Sequence, residues 1–312
     1  MTIGLQQEIA PASAPALRLH MIPTELGPAT VRVQQGSGGG DPASGTPVVY
    51  LHGAAGTWTT FRALLPREPD ADRVLIDLPG WGESTADVRL EDFSVEAMGR
   101  AVVEILDSLG YRRWNLVGHS MGGFLALHLA ARWPDRAAGV AAISATTFGV
   151  SAAVRHPVRS LSGLPAFVRT LWAMRSMAAL GPAGPALIRA VAATPVMGPL
   201  LSPLFADPAA VPGQVIRGLG HDARPASFWR AARAVALYDF GQWRSIRCPV
   251  LATRGDRDVF TPPSDLLRLS DLVPHVRLVT IPRCGHFANI EQPERVLRLL
   301  DELRVPSGRR RP

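Results

Sequence analysis

The sequence predicts an α/β fold with a doubly wound, mostly parallel sheet into which a helical segment is inserted. Short continuous apolar runs alternate with helical patterns in both halves of the chain. Strands that are apolar on both faces are typical of a parallel sheet that helices cover on both sides. The alternation stops between residues 148 and 239, where the pattern is helical, rich in proline and without a convincing strand.

The first half of the chain supplies most of the predicted sheet. An opening pair of strands is predicted at Leu17–His20 and Ala29–Gln34. Buried strands follow at Val48–Leu51, Val74–Ile76, Trp114–Val117 and Ala138–Ser144. The intervening helices are predicted at Thr57–Leu65, Ser94–Leu109 and Ser120–Arg132. Ser94 is a suitable N-cap for the second of these helices, and Gly110 a suitable C-terminal stop.

The second half resumes the alternation after the insertion. Its predicted elements are the strand Val250–Thr253, the helix Pro263–Leu272, the strand Val276–Ile281 and the helix Glu291–Leu303. We therefore expect one α/β core made of residues 1–147 and 240–312, with residues 148–239 forming a helical cap.

The composition indicates a globular protein and narrows the choice of partners. Hydrophobic residues make up 47% of the 312 residues and charged residues 19%, which suits a well-buried core. No lysine is present, so all 33 basic residues are arginine, and the formal net charge is +7. The arginines are scattered, apart from Arg309–Arg311, so we expect no nucleic-acid partner. No apolar run reaches the roughly 18 residues of a transmembrane helix, so we expect no membrane partner.

The cysteines and the N-terminus indicate the cellular compartment that we expect for this protein. Cys248 and Cys284 fall at opposite ends of neighbouring predicted strands, whereas a disulfide needs Cα atoms within about 7 Å. We expect two free thiols and therefore a reducing, cytoplasmic location. The first 17 residues lack the basic and apolar regions of a signal peptide.

A candidate nucleophile lies between a buried strand and a helix. The segment Gly118-His119-Ser120-Met121-Gly122 matches the pattern G-x-S-x-G. In a strand-to-helix turn this tight, the serine backbone is strained and the flanking positions must be small. The hydroxyl of Ser120 then projects above the C-terminal edge of the sheet, at a helix N-terminus that favours negative charge.

A base and an orienting carboxylate are predicted at the same edge. A serine hydroxyl needs a base, and His286 follows the last predicted strand. Two carboxylates, Asp256 and Asp258, follow the strand before it; we favour Asp258 as the partner of His286 and expect Asp256 to accept backbone N–H groups of the turn. Ser120, Asp258 and His286 then occur in the chain order Ser, Asp, His.

Two backbone amides are candidates for an oxyanion hole. One is that of Met121, the residue after the nucleophile. The other is that of Ala54, in the small-residue loop His52–Gly56 that follows the strand Val48–Leu51. Such a pair of N–H groups stabilises the negative oxygen of a tetrahedral intermediate.

No metal or cofactor site is predicted. His119 has no second ligand at a suitable spacing, so we interpret it as a packed residue of the turn. The glycine run 36–40 lacks the lysine of a phosphate loop, and Gly80-Trp81-Gly82 lacks the third glycine of a dinucleotide site.

These motifs resemble those of the α/β-hydrolase superfamily, in the branch with a helical cap. The likeness covers residues 17–147 and 240–304 and is carried by four segments: residues 51–53 (LHG), 77–84 (DLPGWGES), 118–123 (GHSMGG) and 285–293 (GHFANIEQP). In this family the catalytic acid usually stands three residues after a glycine and before a proline. Gly255, Asp258 and Pro262 fit that pattern, which supports Asp258 over Asp256.

The resemblance implies a cap that folds over the catalytic edge and forms much of the substrate pocket. Candidate lining residues in the cap are Phe167, Trp172, Met174 and Met177. The implied activity is hydrolysis of a small or medium-sized apolar carboxylic ester, thioester or lactone.

Single residues favour or disfavour the other reactions of the superfamily. Relatives that open epoxides or remove halides use an aspartate where this chain has Ser120, which disfavours both reactions. C–C hydrolases of vinylogous diketones usually have tryptophan after the histidine, where this chain has Phe287. Cofactor-free perhydrolases share the same three residues and stay an alternative. A non-enzymatic binding protein is disfavoured, because all three positions are filled.

Overall fold

The computed structural model describes residues 17–37, 43, 45–65 and 71–304. Arg309–Arg311 lie outside the described residues, as does much of the glycine run 36–40.

The described residues contain a sheet of eight strands in the order β1-β2-β4-β3-β5-β6-β7-β8. The strands are β1 (Arg18–Ile22), β2 (Ala29–Gln34), β3 (Val48–Leu51), β4 (Arg73–Ile76), β5 (Trp114–His119), β6 (Ala137–Ile143), β7 (Val250–Gly255) and β8 (Val276–Ile281). Strand β2 is antiparallel to both β1 and β4, and the other neighbouring pairs are parallel. The predicted fold class, a doubly wound and mostly parallel sheet, is confirmed.

Helices cover both faces of this sheet because successive side chains of a strand point to opposite faces. On one face Val49 and Leu51 belong to the same apolar cluster as residues of the helices Val95–Ser108 and Met121–Arg132. On the other face Val48 and Tyr50 belong to a cluster with residues of the helix Pro293–Arg304. The core helices are α1 (Val95–Ser108), α2 (Met121–Arg132), α10 (Pro263–Leu272), α11 (Ala288–Glu291) and α12 (Pro293–Arg304). A 3₁₀ helix, Trp58–Leu64, lies on the same face as α12.

All regular elements between β6 and β7 in the described structure are helices. The α-helices are α3 (Phe148–Arg155), α4 (Pro157–Ser160), α5 (Pro165–Ala179), α6 (Ala183–Ala192), α7 (Met197–Leu201), α8 (Gly213–His221) and α9 (Pro225–Ala236). Short 3₁₀ turns lie at Ser202–Leu204, Pro208–Ala210 and Phe240–Ser245. Apolar side chains of α6, α7 and α8 form a cluster that includes Phe287, from the loop after β8, whereas those of α3, α5 and α9 belong to the main core.

Helix ends follow local chemistry. Ser94 caps α1 by accepting a hydrogen bond from the amide of Ala97 at 3.0 Å, and Gly110 follows the helix with φ +84°. The single helix predicted at Glu291–Leu303 is wrong in one respect: α11 ends at Glu291 and α12 begins at Pro293. Proline cannot donate the hydrogen bond that would continue the helix, so the chain turns at Gln292.

In the described part of the chain, no single helix is long and apolar enough to cross a membrane. Helix α6 and the segment Met197–Leu204 meet that criterion only together, as a pair bent by 108°.

Candidate active site

The turn between β5 and α2 holds Ser120 in a strained backbone conformation. Its φ is +54° and its ψ is −118°, a region that residues other than glycine rarely adopt. The turn is tight because β3 lies against it: a Cβ atom on Gly122 would lie 1.9 Å from the carbonyl oxygen of Leu51. A Cβ on Gly118 would lie 2.1 Å from the carbonyl oxygen of Gly122. Small residues at both positions are therefore a steric requirement.

The structure brings Ser120, His286 and Asp258 together in one chain of hydrogen bonds. The His286 Nδ1 atom lies 3.0 Å from Asp258 Oδ1, and its Nε2 atom lies 3.0 Å from Ser120 Oγ. An ionised carboxylate only accepts, so the histidine proton belongs on Nδ1. Nε2 then has a free lone pair, and it accepts the hydrogen bond that the serine hydroxyl donates. This is the arrangement that prepares a serine to lose its proton.

Asp258 is buried, and its environment keeps it ionised. Burial by itself would raise the pKa of Asp258. Attraction to the protonated form of His286, together with the hydrogen bonds that His286 and the amide of Phe260 donate, outweighs burial, so the pKa of Asp258 lies below its ordinary value. The amide of Thr261 also donates to Oδ1 of Asp258, at 3.1 Å.

Asp256 has a different position from Asp258. Its Oδ1 accepts a hydrogen bond from the amide of Cys284 at 3.1 Å, and hydrogen bonds from the backbone of Arg283 and Cys284 hold its pKa low. It therefore connects the loop after β7 to the loop that carries His286. Among the described residues, the hydrogen bond to the imidazole comes from Asp258 and not from Asp256.

The amides of Met121 and Ala54 have no hydrogen-bond acceptor among the described residues. Both residues line the same cavity as Ser120. Met121 is the first residue of α2, where a helix leaves its N–H groups unpaired. Gly53 allows the loop after β3 to approach, since a Cβ there would lie 3.0 Å from the Cβ of Ser120.

The loop that contains Ala54 is held by two neighbours. The indole Nε1 of Trp81 donates to the carbonyl of Ala54 at 2.7 Å. The Nδ1 atom of His52 donates to the carbonyl of Gly53 at 2.8 Å, and its Nε2 accepts from the amide of Leu78 at 3.0 Å. These bonds fix the direction of the Ala54 amide.

His119 is packed under the catalytic histidine. Its Nε2 donates to the backbone carbonyl of His286 at 2.9 Å, and its ring lies 4.7 Å from that of Phe287. Burial, reinforced by the nearby charge of His286, lowers the pKa of His119 to about 3. A neutral ring therefore supports the His286 loop without adding a competing charge.

Glu291 also holds this loop, and sequence reasoning missed it. Its side chain accepts hydrogen bonds from the amide of Gly285 at 2.9 Å and from the amide of Ala206, in the cap, at 2.7 Å. The amide of His286 donates to the carbonyl of Leu204, also in the cap, at 2.7 Å. No local sequence pattern indicates this role. Glu291 lies in an ordinary helical pattern, and its partner Ala206 in the cap is distant in the sequence.

A cavity of about 660 Å³ opens at Ser120 and His286 and extends into the cap. Of the cap residues predicted to line it, Phe167, Met174 and Met177 do. Trp172 does not, and 41% of it is exposed, so that expectation is wrong. The cause is helical geometry: α5 presents Phe167, Thr170 and Met174 to the cavity, and a residue two positions from Thr170 points the other way.

Most of the cavity wall was not foreseen from the sequence. It comes from helices α6 to α9 and from the loop after β7, and its main apolar members are Leu187, Val191, Phe228, Val235 and Phe260. The only charged side chain other than histidine among the described lining residues is Arg169, which is exposed. The described residues contain no cluster of histidine, cysteine and acidic residues that could hold a metal ion.

Comparison with known proteins identifies the family of this chain. A family model described as the alpha/beta hydrolase fold matches residues 46–293, and the chain belongs to this family as an α/β-hydrolase enzyme. It is 28% identical over 270 residues to a 2-hydroxy-6-oxononadienedioate/2-hydroxy-6-oxononatrienedioate hydrolase of Burkholderia vietnamiensis, covering 82% of this chain and 85% of that protein.

A second relative is longer than this chain. The chain is 27% identical over 261 residues to the dihydrolipoyllysine-residue acetyltransferase component of the acetoin cleaving system of Pseudomonas putida, covering 81% of this chain and 61% of the relative. Among solved structures, a thermophilic esterase from Thermogutta terrifontis superposes with a TM-score of 0.67 at 23% identity, covering 91% of this chain and 97% of the esterase. That likeness shows the fold.

Proposed function

We propose that this enzyme hydrolyses carboxylic esters, or related thioesters and lactones, of small to medium-sized apolar substrates through an acyl-enzyme on Ser120. The observation that carries the proposal is the continuous hydrogen bonding from Asp258 through His286 to Ser120, at 3.0 Å for each bond, beside an apolar cavity. Pockets of this size accept ligands of drug-like dimensions.

Each group has a defined task in the proposed reaction. His286 Nε2 takes the proton of Ser120 as Oγ attacks the substrate carbonyl, and the N–H groups of Met121 and Ala54 stabilise the oxyanion. The proton on Nε2 then passes to the leaving alcohol. Water repeats the sequence on the acyl-enzyme and releases the acid. Asp258 keeps the Nδ1 proton in place and stabilises the imidazolium while it exists.

The cavity favours neutral esters over the C–C substrates of the Burkholderia relative. The name of that relative describes a dioate, with two carboxylates. Buried carboxylates need cationic partners. Among the described residues of this cavity, Arg169 is the one permanent cation, and it is exposed. C–C hydrolysis with the same residues is the second candidate, and the likeness to that relative supports it.

The experiment compares p-nitrophenyl esters of increasing acyl length with a ring-cleavage dienoate and with peroxide-dependent peracid formation. We expect the neutral esters to have the highest kcat/KM. Ser120→Ala should lower kcat by on the order of 10⁶ if the three residues act as a unit. A fluorophosphonate probe should label Ser120 in the parent enzyme. Retention of most ester hydrolysis by Ser120→Ala would remove the proposal.

We also infer that the enzyme works in a reducing compartment, the cytoplasm. Cys248 and Cys284 are both buried and free. Burial raises the pKa of Cys248 to about 11 and that of Cys284 to about 12, so both stay as unreactive thiols.

A further inference from the structure

The mouth of the cavity is bordered by exposed apolar residues. Residues that both line the cavity and are exposed to solvent mark its mouth, and they include Leu187, Pro199, Leu200 and Pro203 from the cap, with Arg169 as their charged neighbour. Leu187 is 49% exposed and Leu200 60% exposed. A channel that leads to a buried serine thus opens onto an apolar surface.

Two further exposed apolar residues adjoin cap helices that reach the cavity. Leu180 follows α5 and is 50% exposed, and Val196 precedes α7 and is 56% exposed; neither lines the cavity. We call Leu180, Leu187, Val196 and Leu200 the cap apolar surface. Leu187 and Leu200 line one cavity, and Leu180 and Val196 adjoin helices whose residues Met177 and Met197 line it as well. Exposed large apolar residues that are grouped, rather than scattered singly, mark an interaction site.

The charge of the chain is concentrated in the same segment. Residues 148–239 contain nine arginines, three aspartates and no glutamate, whereas arginines and acidic residues nearly balance in the rest of the chain. Between residues 170 and 206 the charged residues are Arg175 and Arg189, with no acidic residue. Arg189 is close enough to Arg224 to contribute to a lowered pKa of that guanidinium, after burial as the larger cause.

We propose that the cap apolar surface docks on an anionic lipid surface, from which an apolar acyl group enters the cavity directly. Apolar side chains insert among lipid acyl chains, and the exposed arginines of the same segment interact with the anionic headgroups. A second copy of this chain fits less well, because a symmetric contact would place Arg175 and Arg189 of both copies at one interface, and residues 170–206 offer no acidic partner. The proposal departs from our expectation of no membrane partner, which was based on spanning segments and on arginines scattered along the sequence.

Docking also indicates the source of the substrate, and this part of the proposal rests on the proposed esterase function. An acyl ester held in the lipid surface passes from an apolar phase into an apolar cavity without exposing its chain to water. The docking itself does not depend on catalysis, so the two proposals fail separately.

Docking is tested by co-sedimentation with vesicles of phosphatidylcholine alone and of phosphatidylcholine mixed with phosphatidylglycerol. We expect binding to the anionic vesicles, weakened by added salt, and little binding to the neutral ones. The double variant Leu180→Asp/Val196→Asp should bind the anionic vesicles at least about tenfold more weakly, because it removes apolar insertion and adds like charge. Its hydrolysis of soluble p-nitrophenyl butyrate should equal that of the parent.

Matched variants outside the cap are the controls. Leu267→Asp changes an equally apolar residue, 62% exposed, on α10. Arg298→Glu on α12 matches Arg189→Glu in the cap. We expect the α10 and α12 variants to bind as the parent does and Arg189→Glu to bind more weakly. Ser120→Ala should bind normally even if ester hydrolysis proves not to be the activity.

Several results would overturn the proposal. Absence of binding to anionic vesicles is one, and equal loss of binding in the cap variants and in their controls is another. A stable dimer in solution that the double variant converts to monomers would assign the surface to a second copy instead.

Discussion

Replacing Asp258 with asparagine tests the inferred roles of both carboxylates. In the parent, Oδ1 of Asp258 accepts from His286 Nδ1, from the amide of Phe260 at 2.8 Å and from the amide of Thr261. An asparagine with its oxygen at the Oδ1 position keeps all three donors but carries no charge, so it stabilises the imidazolium of His286 less. An asparagine with its NH₂ group at that position faces Nδ1 with a donor, and the proton of the imidazole moves to Nε2. Nε2 can then no longer accept the proton of Ser120.

The magnitude follows from the loss of the carboxylate, which is common to both orientations. Loss of the carboxylate behind a catalytic histidine lowers kcat by about 10⁴, which corresponds to about 5.5 kcal/mol of transition-state stabilisation. Asp258 is buried, so solvent cannot replace the lost charge. The fold should survive, because asparagine has nearly the same shape as aspartate.

The assay is hydrolysis of p-nitrophenyl butyrate, with Asp256→Asn as the matched control. Asp256 accepts from the amide of Cys284 through an oxygen that asparagine also has, so we expect less than about tenfold loss of kcat. Circular dichroism should show that both variants are folded. A larger loss in Asp256→Asn than in Asp258→Asn would refute our assignment of the two carboxylates.

Three further predictions concern stability and the cavity. Gly122→Ala should lower the free energy of unfolding by about 3 kcal/mol or prevent folding, since its Cβ would meet the Leu51 carbonyl at 1.9 Å; an unchanged Tm would contradict the tight turn. Burial lowers the pKa of His128 to about 4 from 6.5. The unfolded chain therefore binds the proton more readily, so stability should be full above about pH 6.5 and fall by roughly 3 kcal/mol as pH drops towards 4; His128→Gln should lack that part of the pH dependence in urea unfolding. Phe167→Ala should change the acyl-length preference, measured as kcat/KM across the ester series, whereas Trp172→Ala should leave that preference unchanged, and a shift with Trp172→Ala would place the cavity elsewhere.

Much of the catalytic edge could be predicted because its signals are local. Ser120 lies in a turn of five residues in which the two flanking glycines are sterically required. His286 and Asp258 follow strands that are recognisable from their own apolar runs. Parallel strands end at the same edge, so the order of elements brings the three loops together. The break between α11 and α12 was missed because the helical period continues across Pro293.

The sequence by itself determined the fold class, the order of the strands and helices, and the residue types available for nucleophile, base and carboxylate. Those properties depend on periodicity, turn chemistry and spacing, which are written along the chain. The tertiary structure decided which cap residues face the substrate, that Trp172 faces solvent, that Glu291 fastens the His286 loop to the cap, and that an apolar surface surrounds the cavity mouth. Each of these depends on which helix packs against which, and an apolar residue at a helical position has the same pattern whether it meets a core, a cavity or water.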